Sequence, residues 1–180
     1  GSRGQGAGPR PGGRRARRRP AAPPQVRWGP APTATGPLAG QVGLVTGATG
    51  ELGSAFVGAL VDRGARVLMV DGDLDGLLSL ADGLPGDDRA VALRCDLSSA
   101  DEVADACDFV RRAGTSVDLV VHAASADAVD AEIGPFGALD AQYAVGVRAP
   151  SLLAAQLGPS MTPRAGVLFV DRSPSPGDDR

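Results

Sequence analysis

The chain contains no lysine and no asparagine, one tyrosine (Tyr143), one histidine (His122) and two cysteines (Cys95 and Cys107) in 180 residues. Each scarcity removes a class of chemistry. A lone histidine, with two cysteines that lack CxxC spacing, argues against a metal centre. With no secretory apolar stretch near the start, both cysteines read as reduced structural thiols. No apolar run approaches the roughly 18 residues that a membrane-spanning helix needs. The expectation is a soluble, cytoplasmic chain with no membrane partner. Four phenylalanines, one tryptophan and one tyrosine cannot build a core, so at 43% hydrophobic residues the interior must come from valine, leucine and alanine. That composition suits a parallel sheet buried on both faces.

Charge is also unevenly supplied. All eighteen basic residues are arginine; eight fall in residues 1–40, which hold no acid, and the other ten face all twenty-one acids over residues 41–180, a net charge of −11. Residues 1–37 are rich in Gly, Pro, Ala and Arg, with an arginine cluster at 14–19. Such a segment cannot bury enough apolar surface to offset its ordering entropy, so a disordered tail is expected. Guanidinium groups attract phosphates, which offers a grip on nucleic acid. Trp28 is the tail's single aromatic and makes no stacking platform. A solvated tail, or one lying over its own acidic domain, is the plainer expectation. Residues 174–180 form a polar C-terminal tail.

One stretch is well formed. From Gln41, apolar residues lead into Val45-Thr46-Gly47-Ala48-Thr49-Gly50-Glu51-Leu52-Gly53; a proline-free amphipathic segment follows, and Val67-Leu68-Met69-Val70 ends on Asp71. Strand, glycine turn, helix and strand in that order make a nucleotide-binding half-unit. Gly47 permits the tight turn, Gly50 lets backbone approach a pyrophosphate, and Gly53 lets the helix pack closely on the sheet. The helix starts at the loop, so its unpaired N–H groups and positive dipole end point at the phosphates. Asp71 stands where an acid accepts hydrogen bonds from an adenosine ribose. Nothing basic follows at Gly72 or Asp73 to take a 2′-phosphate, so the residues favour NAD(H) over NADP(H). A P-loop is excluded, because Ser54 and not lysine follows Gly53.

The alternation continues along the chain. Strands are predicted over about 42–46, 66–70, 90–94, 117–121 and 167–170, and helices over about 52–63, 74–81, 99–113 and 139–157. Right-handed crossovers give the strand order 3-2-1-4-5, a Rossmann-type doubly wound α/β domain over residues 38–173. Cys95-Asp96-Leu97 ends the third strand and Val120-Val121-His122-Ala123-Ala124 ends the fourth, both at the carboxyl edge where open α/β sheets hold ligands. Asp96 could equally cap the turn before Ser98. His122 titrates near neutrality and is a candidate general base, although a sheet-end residue that orients the loop is the plainer reading.

With these residues assembled, the chain resembles the short-chain dehydrogenases/reductases. Thr46-Gly47-Ala48-Thr49-Gly50-Glu51-Leu52-Gly53 fits the Thr-Gly-x-x-Gly-x-x-Gly loop of the extended branch, and the resemblance runs from about Leu38 to Ser173. It implies hydride exchange between a nicotinamide dinucleotide and an alcohol or carbonyl substrate that the residues do not identify. It also implies cofactor contacts from Thr46, Gly47, Thr49, Gly50, Glu51, Leu52, Gly53, Asp71, Asp96, Leu97, His122, Ala123 and Ala124, with Asp96 holding the adenine amino group. Ser173 is the candidate for the catalytic serine that polarises the carbonyl, against the alternative of an ordinary Ser-Pro loop residue.

The departures from the family pattern are specific. Gly146 occupies the position of the proton-relay asparagine, and Tyr143 has Val147 four residues on, so it reads as packing. Without lysine, the Tyr-x-x-x-Lys pair that supplies the proton and binds ribose cannot form. The expectation is a C-terminally shortened family member that binds NAD, with NADP less favoured, and performs the reaction poorly or not at all. The alternative is a non-catalytic dinucleotide-binding or interaction module. The long last helix is expected to leave an apolar face around Leu152, Leu153 and Leu157 for a second copy or a partner chain.

Overall fold

The computed structural model describes residues 35–86, 89–126 and 134–170. Five strands, β1 (Val42–Thr46), β2 (Arg66–Asp71), β3 (Ala90–Arg94), β4 (Val117–His122) and β5 (Met161–Phe169), alternate with helices. The helices are α1 (Glu51–Asp62), α2 (Leu74–Asp82), α3 (Ala100–Arg112), α4 (Gly134–Tyr143) and α5 (Ala149–Leu157). The strands form one parallel sheet in the order β3-β2-β1-β4-β5, as the Rossmann-type reading expects.

The apolar runs explain why the sheet is covered on both faces. Successive strand residues point to opposite faces, and neighbours in each run divide between two cores. Leu44, Leu68 and Val120 pack with Val103, Cys107, Val110, Leu153 and Leu157 from α3 and α5. Val45, Met69 and Val121 pack with Val57, Val61 and Leu77 from α1 and α2. Each such fully buried Val or Leu contributes about 1.5–3 kcal/mol. Helix starts follow local chemistry: the Asp73 carboxylate accepts from Gly76 N–H in α2, and Ser99 Oγ accepts from Glu102 N–H in α3. Ser99 is therefore the cap of α3. Asp101 and Glu102 at one end of α3, and Arg111 and Arg112 at the other, complement its dipole.

Two expectations are corrected. The fifth strand begins at Met161, six residues earlier than Val167, because its pairing with β4 is irregular. The register runs from Val117↔Met161 to Leu119↔Gly166, and the intervening bulge accommodates Pro163, which cannot donate to a ladder. Asp118 anchors that bulge, accepting from Thr162 Oγ1 at 2.9 Å and from Val42 N–H at 2.8 Å.

The second correction concerns the apolar face. Leu153 and Leu157 are buried against α3 and Leu152 is partly buried. The exposed apolar residues of this helical stretch are instead Phe136, Leu139, Tyr143 and Val147. Between α4 and α5 the helix widens into a π-helical turn over Ala144–Arg148, which shifts the face that α5 presents relative to α4. The tails expected at 1–37 and 174–180 lie outside the described residues except for 35–37, and so does Ser173.

Candidate functional site at the carboxyl edge of the sheet

The pairing register sets the site. Thr46 lies beside Val70 on one side and His122 on the other, so the ends of β1, β2 and β4 share one edge. The chain leaves β1 through Gly47, whose φ of +66° is in the left-handed region. A Cβ there would also stand 2.5 Å from Ala124 Cα, so glycine is required twice over. Gly53 is constrained by space alone: its Cβ would fall 1.9 Å from Gly47 O, where the first turn of α1 touches the loop. Gly50 is the N-cap of α1, with no side chain to cap the first-turn N–H groups. A helix start of this kind presents amides to an anion.

Asp71 closes the loop from the side. Its carboxylate accepts from Thr49 N–H at 3.1 Å and from Asp73 N–H at 3.2 Å. Asp96 does what its alternative reading expected, since Oδ1 accepts from Ser98 N–H at 2.8 Å and Ser98 Oγ at 2.7 Å. Its own N–H donates to Glu102 Oε2 at 2.8 Å.

These pieces surround a cavity of about 540 Å³ lined by Gly47, Thr49, Gly50, Asp71, Gly72, Cys95, Asp96, Leu97, Ala123, Ala124, Ser125 and Val145. The lining holds two carboxylates and no basic side chain. Of the residues expected at a cofactor, Gly47, Thr49, Gly50, Asp71, Asp96, Leu97, Ala123 and Ala124 are brought together here. Thr46 and His122 lie buried behind them, while Glu51, Leu52 and Gly53 form the first turn of α1 and do not line the cavity. Gly72, Cys95, Ser125 and Val145 were not anticipated. The first three adjoin anticipated residues in sequence, but Val145 arrives from the π turn, and no local signal points to it.

His122 is 4% exposed and both ring nitrogens are engaged. Nδ1 is 2.7 Å from Thr46 Oγ1 and Nε2 is 3.0 Å from Val145 O. Burial holds its pKa below the ordinary value, opposed by the bond to the Val145 carbonyl. The ring is therefore neutral and hydrogen-bonded on both sides, which suits the orienting role rather than that of a general base. Cys95 and Cys107 are free and buried. Burial above all, with help from the Glu102 carboxylate, pushes the Cys95 thiol up to about 12, and burial pushes Cys107 up to about 11. Both are protonated near neutrality and poor nucleophiles. Among the described residues no group of three or more His, Cys, Asp or Glu is placed to hold a metal ion, and no helix is long and apolar enough to cross a membrane.

A dinucleotide fits what is present. The space that a Cβ would fill at Gly47 and Gly53 is taken by backbone, and the N-cap of α1 leaves its amides for an anionic phosphate. Ionised carboxylates only accept hydrogen bonds, so Asp71 and Asp96 suit ribose hydroxyls and an adenine amino group.

Comparison with known proteins agrees with this arrangement. Residues 41–169 match the short chain dehydrogenase family. The chain is 32% identical over 136 residues to a D-threitol dehydrogenase of Mycolicibacterium smegmatis, covering 74% of this chain and 52% of that protein. It thus spans about half the length of that relative. A metagenomic short-chain oxidoreductase solved in complex with NADP is similar in structure, with a TM-score of 0.62 and 28% identity over 76% of this chain and 64% of that one. A short-chain dehydrogenase/reductase of Brucella melitensis shares the fold, with a TM-score of 0.66 at 20% identity, covering 75% of this chain and 58% of that one. The glycine loop, the sheet order and the family match over most of the chain lead to one conclusion: this protein belongs to the short-chain dehydrogenase family.

Proposed function

We propose that the cavity at the carboxyl edge binds a nicotinamide dinucleotide, NAD(H) in preference to NADP(H), for hydride exchange with an alcohol or carbonyl substrate. The observation that carries this reading is a lining with two carboxylates and no cation over a glycine loop closed to side chains. Gly47, Thr49 and Gly50 would face the pyrophosphate with Glu51, Leu52 and Gly53 behind them as the helix start. Asp71 would take the adenosine ribose hydroxyls and repel a 2′-phosphate, while Asp96 and Leu97 would hold the adenine. Ala123 and Ala124 would let backbone lie against the second ribose, with Thr46 and His122 fixing the strand ends beneath. When bound, the nicotinamide supplies or accepts the hydride.

The acid–base half of the reaction is thinly provided. No lysine exists in the 180 residues, Tyr143 is exposed with Val147 four residues on, and Gly146 has no side chain to relay a proton. Turnover by this chain alone is therefore proposed to be slow or absent, with Ser173 the residue left to polarise a carbonyl. The exposed stripe Phe136, Leu139, Tyr143 and Val147 is proposed to be covered by a second copy or a partner chain.

The test is a calorimetric titration of the full chain with NADH and NADPH, alongside Asp71→Ala. Micromolar NADH binding that exceeds NADPH binding, and that weakens in the variant, is expected. Equal affinity for the two, or a variant unchanged toward both, would sink the assigned preference, and no binding would sink the cofactor reading itself.

A further inference from the structure

The turn at Ala144–Arg148 takes from the Val145 carbonyl its usual α-helical donor. Ala149 N–H reaches five residues back to Ala144 O, so it is not spent on Val145 in the usual α-helical manner. The next donor in line would be residue 150, which is proline and has no N–H. Partly buried carbonyls are rarely left unpaired. Here the donor comes from another element. His122 Nε2, at the end of β4, lies 3.0 Å from Val145 O, and the ring's Nδ1 lies 2.7 Å from Thr46 Oγ1, one residue before the Gly47 turn. A carbonyl oxygen can only accept, so Nε2 carries the proton and Nδ1 accepts from the Thr46 hydroxyl.

We propose that His122 is a positioning residue of the dinucleotide cavity: its Nε2–H replaces the backbone donor that Pro150 removes, and so fixes the wall carrying Val145 against the loop that begins at Thr46. The cavity's occupant rests on the function proposed above; the clamp itself does not. Gly47 adjoins Thr46, Ala123 adjoins His122, and both line the cavity with Val145. One ring thus joins three walls supplied by β1, β4 and the π turn. It moves no proton in this role and touches no substrate.

Two measurements on the full chain test this. His122 is the sole histidine, so ¹⁵N signals from labelled imidazole belong to it alone. A neutral ring protonated at Nε2 is expected at neutral pH; an Nδ1–H tautomer or a doubly protonated ring overturns the proposal. The second is a cycle of NADH affinities for wild type, His122→Asn, Pro150→Ala and the double variant, with His122→Gln as the conservative rescue. Leaving the carbonyl unpaired in His122→Asn should weaken NADH about tenfold. His122→Gln, which can still place an amide N–H near Val145 O, should recover most of that loss. With Pro150→Ala returning a main-chain N–H, the same His122→Asn change should cost less than about twofold.

A ring that merely filled space would be blind to the residue at position 150. Equal losses in both backgrounds, or no loss in His122→Asn, overturn the proposal. If wild type binds no NADH, the cofactor reading falls, and amide exchange at Ala149 and Ser151 across the same variants decides the clamp. Protection lost in His122→Asn and regained in the double variant supports it, and protection indifferent to His122→Asn overturns it.

Discussion

Two glycines in α1 separate space from conformation at the level of single residues. Gly53 has Gly47 O at 1.9 Å from where a Cβ would sit, whereas Gly58 has nothing within 4 Å. Gly53→Ala should cost several kcal/mol or abolish folding, since backbone must shift to admit it. Gly58→Ala should stabilise by about 0.5–1 kcal/mol by removing glycine from a helix interior. Denaturant midpoints of the two variants check both signs.

Protonation gives a second pair of predictions at this scale. His122 has its folded pKa below the ordinary 6.5, so the unfolded chain binds the proton first. Its contribution to stability is full above about 6.5 and falls as pH drops below it, levelling once the folded ring is also protonated. Cys95 and Cys107 rise from 9.0 to about 12 and about 11. Their unfolded thiols ionise first, and stability is lost as pH climbs from about 9 toward those values. Unfolding free energies across pH 5–11, with thiol labelling of native against denatured chain, read both limbs. Native thiols that label as fast as denatured ones at pH 8 would contradict the burial argument.

The elements differ in how far their neighbours in sequence determine them. Strand β1, its glycine turn, α1 and β2 through Asp71 were legible because the chemistry is local: an apolar run, a turn needing left-handed φ, a helix start and a terminal acid lie within thirty-one residues. The sheet order followed from handedness. What escaped was set by contacts distant in sequence. The start of β5 was hidden because Pro163 and Gly166 argue locally against a strand, while Asp118 on β4 holds the bulge that admits them. Val145 was missed because its place in the cavity depends on the widened turn, which no apolar periodicity reports. The buried side of the last helix was misassigned for the same reason. Leu153→Ala, on that buried side, should destabilise by about 2–5 kcal/mol, while Leu139→Asp, on the exposed stripe, should leave stability within about 0.5 kcal/mol. The same Leu139→Asp change should lower the mass measured by light scattering if the stripe is an interface. A variant that scatters as wild type does would remove the stripe from consideration.

For the whole molecule, charge is the dominant asymmetry. Residues 41–180 carry a net −11, and a dinucleotide is itself anionic, so the bulk of the chain would repel the ligand proposed for its glycine loop. Repulsion of this kind is screened within about 10 Å at 0.1 M salt. Moderate salt should therefore raise both the unfolding midpoint and the NADH association rate. Stopped-flow binding at two ionic strengths gives the sign, and slower association in added salt would instead mean that cations guide the ligand. The same molecule has an order of assembly written into its register. Thr46 and His122 are 76 residues apart in the chain yet meet across adjacent strands. On the ribosome, β1, β2 and β3 can pair among themselves while β1 waits with one edge open for β4. The glycine loop is thus synthesised early and walled in late, and a ligand at the proposed site could assist folding only after the π turn has been made.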